Sequence, residues 1–291
     1  MKIQSLSVCV PAGCLNKCKF CVAHMHKDEY TNQIEDNRRF YDLYRNDYLK
    51  RMQFARDNGC NTVILTGDGE PLLNRSFLKD FGLMNKELDS PFRWIELQTS
   101  GTLLDDEYLR FLRNHVGVNT ISLSLSSIFD SKKNAEYNGT KKGYEVDIDH
   151  LCSEIKRYDF NLGLSLNLTD VYDGDFDSIS RIFARAKDLG ADQITFRVLY
   201  MSDHKTEEND WIAKHSASPQ FVANIRDYII NFGKPLEILP FGARRYSVHG
   251  ISTVLDDDCM SQEVKDAVKY LILRPNAKLY SRWEDRGSLI F

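Results

Sequence analysis

Cys14, Cys18 and Cys21 fall in one short segment, Gly13-Cys-Leu-Asn-Lys-Cys-Lys-Phe-Cys21, with the spacing C-x3-C-x2-C and no fourth cysteine nearby. Three thiolates on one tight loop can hold three irons of a [4Fe–4S] cube and leave the fourth iron open. An open iron can bind a small molecule and pass it an electron. From this loop alone zinc stays open as an alternative, because His24 and His26 lie just beyond Cys21 and zinc accepts mixed thiolate and imidazole sets. Structural thiols are the third reading. A disulfide framework does not fit. The chain is long, its seven cysteines are an odd number, and it starts without a cationic, then apolar, then small-residue signal, so a reducing cytoplasm is the expected compartment.

A second constellation lies one unit further on. Thr62-Val-Ile-Leu-Thr66 reads as a buried strand and runs into Gly67-Asp-Gly-Glu-Pro71. The two glycines let the backbone turn sharply and approach a ligand closely. Glu70 then stands at a strand's C-terminal end, where ligands collect in parallel α/β proteins. Alone, this segment also reads as an ordinary strand-to-helix turn with a solvent-facing carboxylate. Placed one βα unit after the cysteine loop, it reads as part of the same site.

The elements that must position these residues follow from hydrophobic periodicity. Strands are expected at about 5–10, 62–66, 94–98, 120–125, 162–168 and 193–198. Helices alternate with them near 37–58, 75–87, 105–114, 145–158, 176–189 and 218–232. Six βα units in order imply an α/β fold with a parallel sheet and right-handed crossovers, a partial (β/α)6 TIM-like barrel. Residues 1–200 form the expected core and 201–291 a C-terminal helix and hairpin extension. Ser202 to Ser218 is polar and reads as a loop. Apolar runs on either side of Pro275-Asn276 read as a hairpin over Val268 to Tyr280, expected to cap the barrel's open side.

On these motifs the chain resembles the radical S-adenosylmethionine superfamily, from about Ser5 to Tyr200. Cys14, Cys18 and Cys21 match its cluster motif, with the aromatic Phe20 before the last cysteine. Gly67-Asp-Gly-Glu-Pro71 resembles its GGEP segment, which binds the methionine amino group of the cofactor, with Asp68 in place of one glycine. The resemblance extends to later strand ends. Trp94 to Gly101 resembles the third strand. Ser124 matches a cofactor-contacting position of the fourth, and Ser126 stands where many relatives carry Asp. Asn167 falls near a ribose-binding position, and Arg197 at a position able to pair with the methionine carboxylate. The resemblance implies a [4Fe–4S] cluster, S-adenosylmethionine, and reductive cleavage to a 5′-deoxyadenosyl radical that abstracts hydrogen from a substrate or adds to it. It also implies a low-potential electron donor such as flavodoxin or ferredoxin. The C-terminal hairpin resembles, in degenerate form, that of auxiliary-cluster (SPASM/twitch-type) members. Ser281, Arg282 and Trp283 stand where a ligand cysteine is expected and only Cys259 remains, which argues against a second cluster. Cys259 is a candidate methyl carrier or hydrogen-atom donor, whereas Cys9, Cys60 and Cys152 read as structural thiols.

The net charge of −4 argues against a broadly basic nucleic-acid surface. Local pairs remain at Lys132-Lys133, Lys141-Lys142 and Arg244-Arg245, with solvated loop charge as the simpler reading. No apolar run has transmembrane length. The substrate classes left are a small molecule or cofactor precursor, a peptide, and RNA, the last disfavoured by the acidic balance. A non-catalytic iron–sulfur or zinc module is the alternative that Glu70 and the barrel pattern disfavour.

Overall fold

A computed structural model describes residues 2–26, 41–238, 244–257, 267–283 and 285–291. Six strands fall where periodicity places them: β1 (Lys2–Cys9), β2 (Thr62–Thr66), β3 (Trp94–Thr99), β4 (Thr120–Leu125), β5 (Asn161–Asn167) and β6 (Gln193–Arg197). Between them run α1 (Val22–Met25), α2 (Arg45–Asp57), α3 (Arg75–Glu87), α4 (Asp106–Phe111), α5 (Ser131–Tyr137), α6 (Ile148–Arg157) and α7 (Phe176–Asp188). The start of the helix expected at 37–58 lies outside the described residues as far as residue 40, and α2 begins at Arg45 after a 3-10 turn, Tyr41–Tyr44. Side-chain caps fix several starts: Asp105 accepts from Tyr108 N, Asp147 from His150 N and Asp175 from Ser178 N.

Three helices escaped the periodicity: α5, α8 and the single-turn α1. α5 is only seven residues long and carries two buried side chains, so its apolar signal is short. It starts because Asp130 accepts from the amides of Lys132 and Lys133. α8 (Glu207–His215) replaces the loop expected over 202–218. It buries Asn209 and Ile212, and its stability comes from its ends. Thr206 caps Asn209 N, acids occupy the first turn, and Lys214 and His215 occupy the last. α9 (Pro219–Phe232) follows.

The C-terminal third does not stand apart from the core sheet. It supplies β7 (Gly233–Ile238), β8 (Arg244–Val248), β9 (Ile251–Asp256), β10 (Ala267–Leu273) and β11 (Leu279–Tyr280) to the same sheet, in the order β11-β10-β1-β2-β3-β4-β5-β6-β9-β8-β7. β10 pairs parallel with β1 and β9 parallel with β6, so the parallel run holds eight strands rather than six. The hairpin expected over Val268 to Tyr280 is present, with β10 and β11 paired antiparallel, and β10 joins the sheet beside β1. The apolar run of β10 is satisfied there by ladder hydrogen bonds and by Leu271 and Leu273 in the main core. The ends of the parallel run are not joined by a ladder among the described residues, but Lys269 of β10 lies 3.6 Å from Asp256 of β9. The core sits between sheet and helices, on residues such as Leu6, Val8, Leu65, Leu97, Leu123 and Phe196. No described helix is long and apolar enough to cross a membrane.

Candidate functional site

The cysteine loop leaves β1 and is stapled to the segment that follows α5. Lys17 N donates to Gly139 O (3.1 Å), Lys19 N to Tyr137 O (3.3 Å), and Asn16 bridges Thr140. Gly139 (φ +53°) lies so close to Lys17 that a Cβ would strike the Lys17 carbonyl, so glycine is required on both counts. Cys14 is exposed, and Cys18 and Cys21 are half-buried.

Burial pushes all three thiols above the ordinary thiol range, Cys21 to about 11. Cys18 is pushed further by Cys21 and Cys14, and Cys21 by Cys14. The three thiols therefore feel one another. Yet among the described residues no three His, Cys, Asp or Glu side chains converge on a point the size of one ion. Three thiols on one loop that line a common cavity suit a multi-iron cube held at three corners. Without a cation they hold their protons, and loading must displace them.

The Gly67–Pro71 segment is seated against this loop. Glu70 N donates to Gly13 O (2.8 Å), and a Cβ at Gly69 would strike the carbonyl oxygens of Ala12 and Gly13. The Glu70 carboxylate is 3% exposed. Its Oε1 accepts from Thr99 Oγ1 (2.6 Å) and Leu72 N (3.3 Å), and its Oε2 from Ser100 N (2.9 Å) and Ser100 Oγ (2.7 Å). Four donors lock one rotamer of the buried carboxyl group. Asp68 stands in a buried ion pair. Arg274 Nη1 reaches its Oδ2 at 2.8 Å, and the two side chains are 3% and 7% exposed. Arg274 also donates to Trp283 O and lies 5.2 Å from the Trp283 ring centroid.

These segments enclose a cavity of about 510 Å³ lined by all three cysteines, Phe20, Gly67 to Glu70, Ser124, Asn167 and Arg197. Asn167, Arg197 and Asp256 are register partners across β5, β6 and β9. Arg197 lies 3.3 Å from Asp256 and donates to Ser165 Oγ at 3.3 Å. Ser126 is the exception among the nominated residues. It is fully buried, donates to Asn138 Oδ1 (2.8 Å) and is not in the cavity wall. The chain has turned after Leu125, and the Ser126 hydroxyl and amide are used to anchor α5 through Asn138 and Asn134. Sequence reasoning missed Thr99, Ser100, Asn138, Asp256 and Lys269. Thr99 and Ser100 could have been found, since they end a strand next to the one that Glu70 follows. Asp256 and Lys269 belong to strands whose place in the sheet no local pattern reveals. Cys259 lies outside the described residues. Cys9, Cys60 and Cys152 are buried.

An open parallel barrel with a three-thiol loop and a fixed carboxylate beside one cavity defines a class of cluster-and-cofactor enzyme folds. The model of the radical SAM superfamily matches residues 8–209, and the chain belongs to that superfamily. Membership implies S-adenosylmethionine and a [4Fe–4S] cluster as cofactors, and the thiol loop and cavity fit both. Among solved structures, native anSMEcpe with bound AdoMet and Cp18Cys peptide is 16% identical with a TM-score of 0.54, covering 80% of this chain and 60% of that one. The same protein with Kp18Cys peptide is 14% identical, TM-score 0.58, covering 96% and 74%. Coproporphyrinogen III oxidase (HemN) from Escherichia coli is 17% identical, TM-score 0.54, covering 79% and 52%. At such identities the likeness is one of fold, and the match spans 60% of the first and 52% of the last of these chains. A comparison with curated protein sequences found no match.

Proposed function

We propose that this chain is a radical enzyme acting on a small molecule, cofactor precursor or peptide, with an acidic low-potential flavodoxin or ferredoxin as electron source. The observation that carries the reading is the buried Glu70 carboxylate, fixed by four donors in the wall of the cavity that the three thiols also line. When bound, the cluster supplies the electron that cleaves S-adenosylmethionine to a 5′-deoxyadenosyl radical. The chain's own part is placement. Cys14, Cys18 and Cys21 hold the cube. Glu70 and the backbone of Gly67 to Gly69 orient the methionine ammonium group. Arg197, 3.3 Å from Asp256, would neutralise its carboxylate. Ser124 and Asn167 offer polar contacts to the nucleoside, and Phe20 walls the cavity beside the cluster. The peptide class draws support from the peptide-bound anSMEcpe structures of the same fold. Residues 1–200 act as the catalytic core, and 201–291 complete its sheet edges.

The test is direct. Anaerobically reconstituted protein given dithionite and S-adenosylmethionine should release 5′-deoxyadenosine, slowly even without substrate, as read by chromatography. A loaded cluster that yields only methylthioadenosine, or nothing, sinks the reading. Glu70→Ala and Arg197→Ala should keep the cluster but lose affinity for S-adenosylmethionine. A charge-assisted contact is worth about 1.5–3 kcal/mol, so calorimetry should show roughly ten- to a hundredfold weaker binding. Unchanged affinity in Arg197→Ala would remove that residue from the site and leave the cysteines standing.

A further inference from the structure

The cavity has more wall than the cluster and cofactor use. The residues assigned to those two come from the cysteine loop and from the ends of β2, β4, β5 and β6. The wall continues over β1, β9, β10 and the segment after β11, where Gln4, Asp256, Lys269, Tyr270 and Trp283 line it. A volume of about 510 Å³ lies in the range that holds one drug-sized ligand, and the cofactor takes part of it. The space left suits one small ring.

One corner of this wall is charged. Asp256 stands between two cations, with Oδ2 3.3 Å from Arg197 Nη1 and Oδ1 3.6 Å from Lys269 Nζ. Lys269 and Asp256 are largely buried, at 11% and 16% side-chain exposure. Both contacts are longer than a charge-assisted hydrogen bond, about 2.7–2.9 Å. A carboxylate has about four acceptor sites, so these two cations do not saturate it. The Lys269 contact also spans the gap between the two ends of the parallel run.

The other features sit beside it. Gln4 and Lys269 fall between the register pairs Ile3↔Val268 and Ser5↔Tyr270, so they are neighbours across the β1–β10 ladder. Gln4 Oε1 is buried and has no hydrogen-bond partner among the described residues. Buried polar groups are paired in the great majority of cases, so this acceptor marks a place for a ligand donor. Tyr270 and Trp283 stand 6.3 Å apart by ring centroid at 51°, and Lys269 Nζ lies 5.9 Å from the Tyr270 centroid. Two tilted rings in one wall give a planar group a face to stack on, next to the ammonium group.

We infer that Gln4, Asp256, Lys269, Tyr270 and Trp283 form the substrate subsite, and that the substrate is a small planar ring with an anionic group and an N–H edge. The inference rests on the proposed function and selects the small-molecule class within it. The ring stacks on Tyr270 or Trp283, the anion pairs with Lys269, and the N–H edge donates to Gln4 Oε1 and Asp256. An ammonium group has three donors, so Lys269 can keep Asp256 and take the anion as well. Arg197 stays with the cofactor.

The probe is orotate, a planar ring with N–H groups and a carboxylate, titrated by calorimetry into cluster-loaded protein with and without saturating S-adenosylmethionine. It should bind in both states. Uracil, which lacks the carboxylate, and benzoate, which lacks the N–H edge, should each bind more weakly. Lys269→Met should weaken orotate roughly ten- to a hundredfold and leave uracil within about twofold, while Lys269→Arg, which keeps the charge, should retain most of the orotate affinity. Gln4→Leu should weaken orotate and uracil about two- to tenfold and leave benzoate unchanged. Equal binding of orotate, uracil and benzoate to the wild type would overturn the inference without any variant. So would no saturable orotate binding in the millimolar range, displacement of orotate by S-adenosylmethionine, or unchanged affinity in Lys269→Met. Tighter binding of N-acetyltryptophanamide, a blocked aromatic residue with no carboxylate, would also overturn it and make the ring a peptide side chain. Orotate that binds as expected to protein releasing no 5′-deoxyadenosine would instead overturn the proposed function and leave the subsite standing.

Discussion

Anaerobic reconstitution should load about four irons and four sulfides per chain, and Cys14→Ala, Cys18→Ala or Cys21→Ala should each abolish the loaded centre. The expectation is a near-complete loss, because each thiol would hold one corner of the cube and its removal leaves that iron without its thiolate. Loading should also release protons, since burial holds the free thiols in their neutral form around pH 7. A pH indicator would therefore report uptake that weakens as the medium turns acidic. Cys60→Ala and Cys152→Ala are the controls. Both thiols are fully buried and away from the loop, and burial pushes them to about 11 and about 12. They should lose some stability and keep the centre. A tightly bound zinc with no charge-transfer absorption near about 400 nm, the region expected for an iron–sulfur cube, would contradict the assignment.

Much of this site could be read in the chain because local sequence carries it. C-x3-C-x2-C places three ligands on one loop whatever the fold around them. Gly67-Asp-Gly-Glu-Pro71 likewise fixes a turn, a close approach and a carboxylate in five residues. The six strands were legible because strands buried on both faces read as continuous apolar runs, as Thr62–Thr66 does, and the helices between them carry 3.6-residue periodicity.

What was not legible depends on long-range pairing. Nothing local says that Ala267–Leu273 pairs parallel with β1, more than 250 positions earlier, because a parallel strand and one arm of a hairpin share the same apolar pattern. The place of the hairpin in the sheet and the omission of Lys269 have that one cause. Ser126 was misplaced for a different reason. Alternation along β4 projects it onto the face of Ser124, but the strand ends at Leu125 and the period no longer applies beyond it. Asp68 was read as an imperfect glycine, when its partner Arg274 lies 206 positions away.

That pair yields the other large effect. Arg274→Met should destabilise the fold by about 3–5 kcal/mol, because it leaves a buried carboxylate without its cation. Burial already pushes Asp68 above the ordinary carboxylate range, with Arg274 pulling it down. Without Arg274 the folded-state pKa must rise further. The sign of the pH dependence follows. A carboxyl whose folded pKa exceeds its unfolded value of about 3.9 binds more protons when folded, so stability falls as pH rises from that value through the folded pKa. Arg274→Met should therefore be less damaged at pH 5 than at pH 8 in urea unfolding of the cluster-free protein. The double variant Asp68→Asn/Arg274→Met removes both charges and should recover most of the loss along with the pH dependence, since replacing a whole buried pair is often close to neutral. The Arg274 contacts to Trp283 would still be absent, which sets the expected residue of instability. If the double variant is as unstable as Arg274→Met and equally unstable at both pH values, Arg274 acts through Trp283 and packing. Asp68 would then be a bystander rather than the charge that ties the C-terminal strand to the loop carrying Glu70.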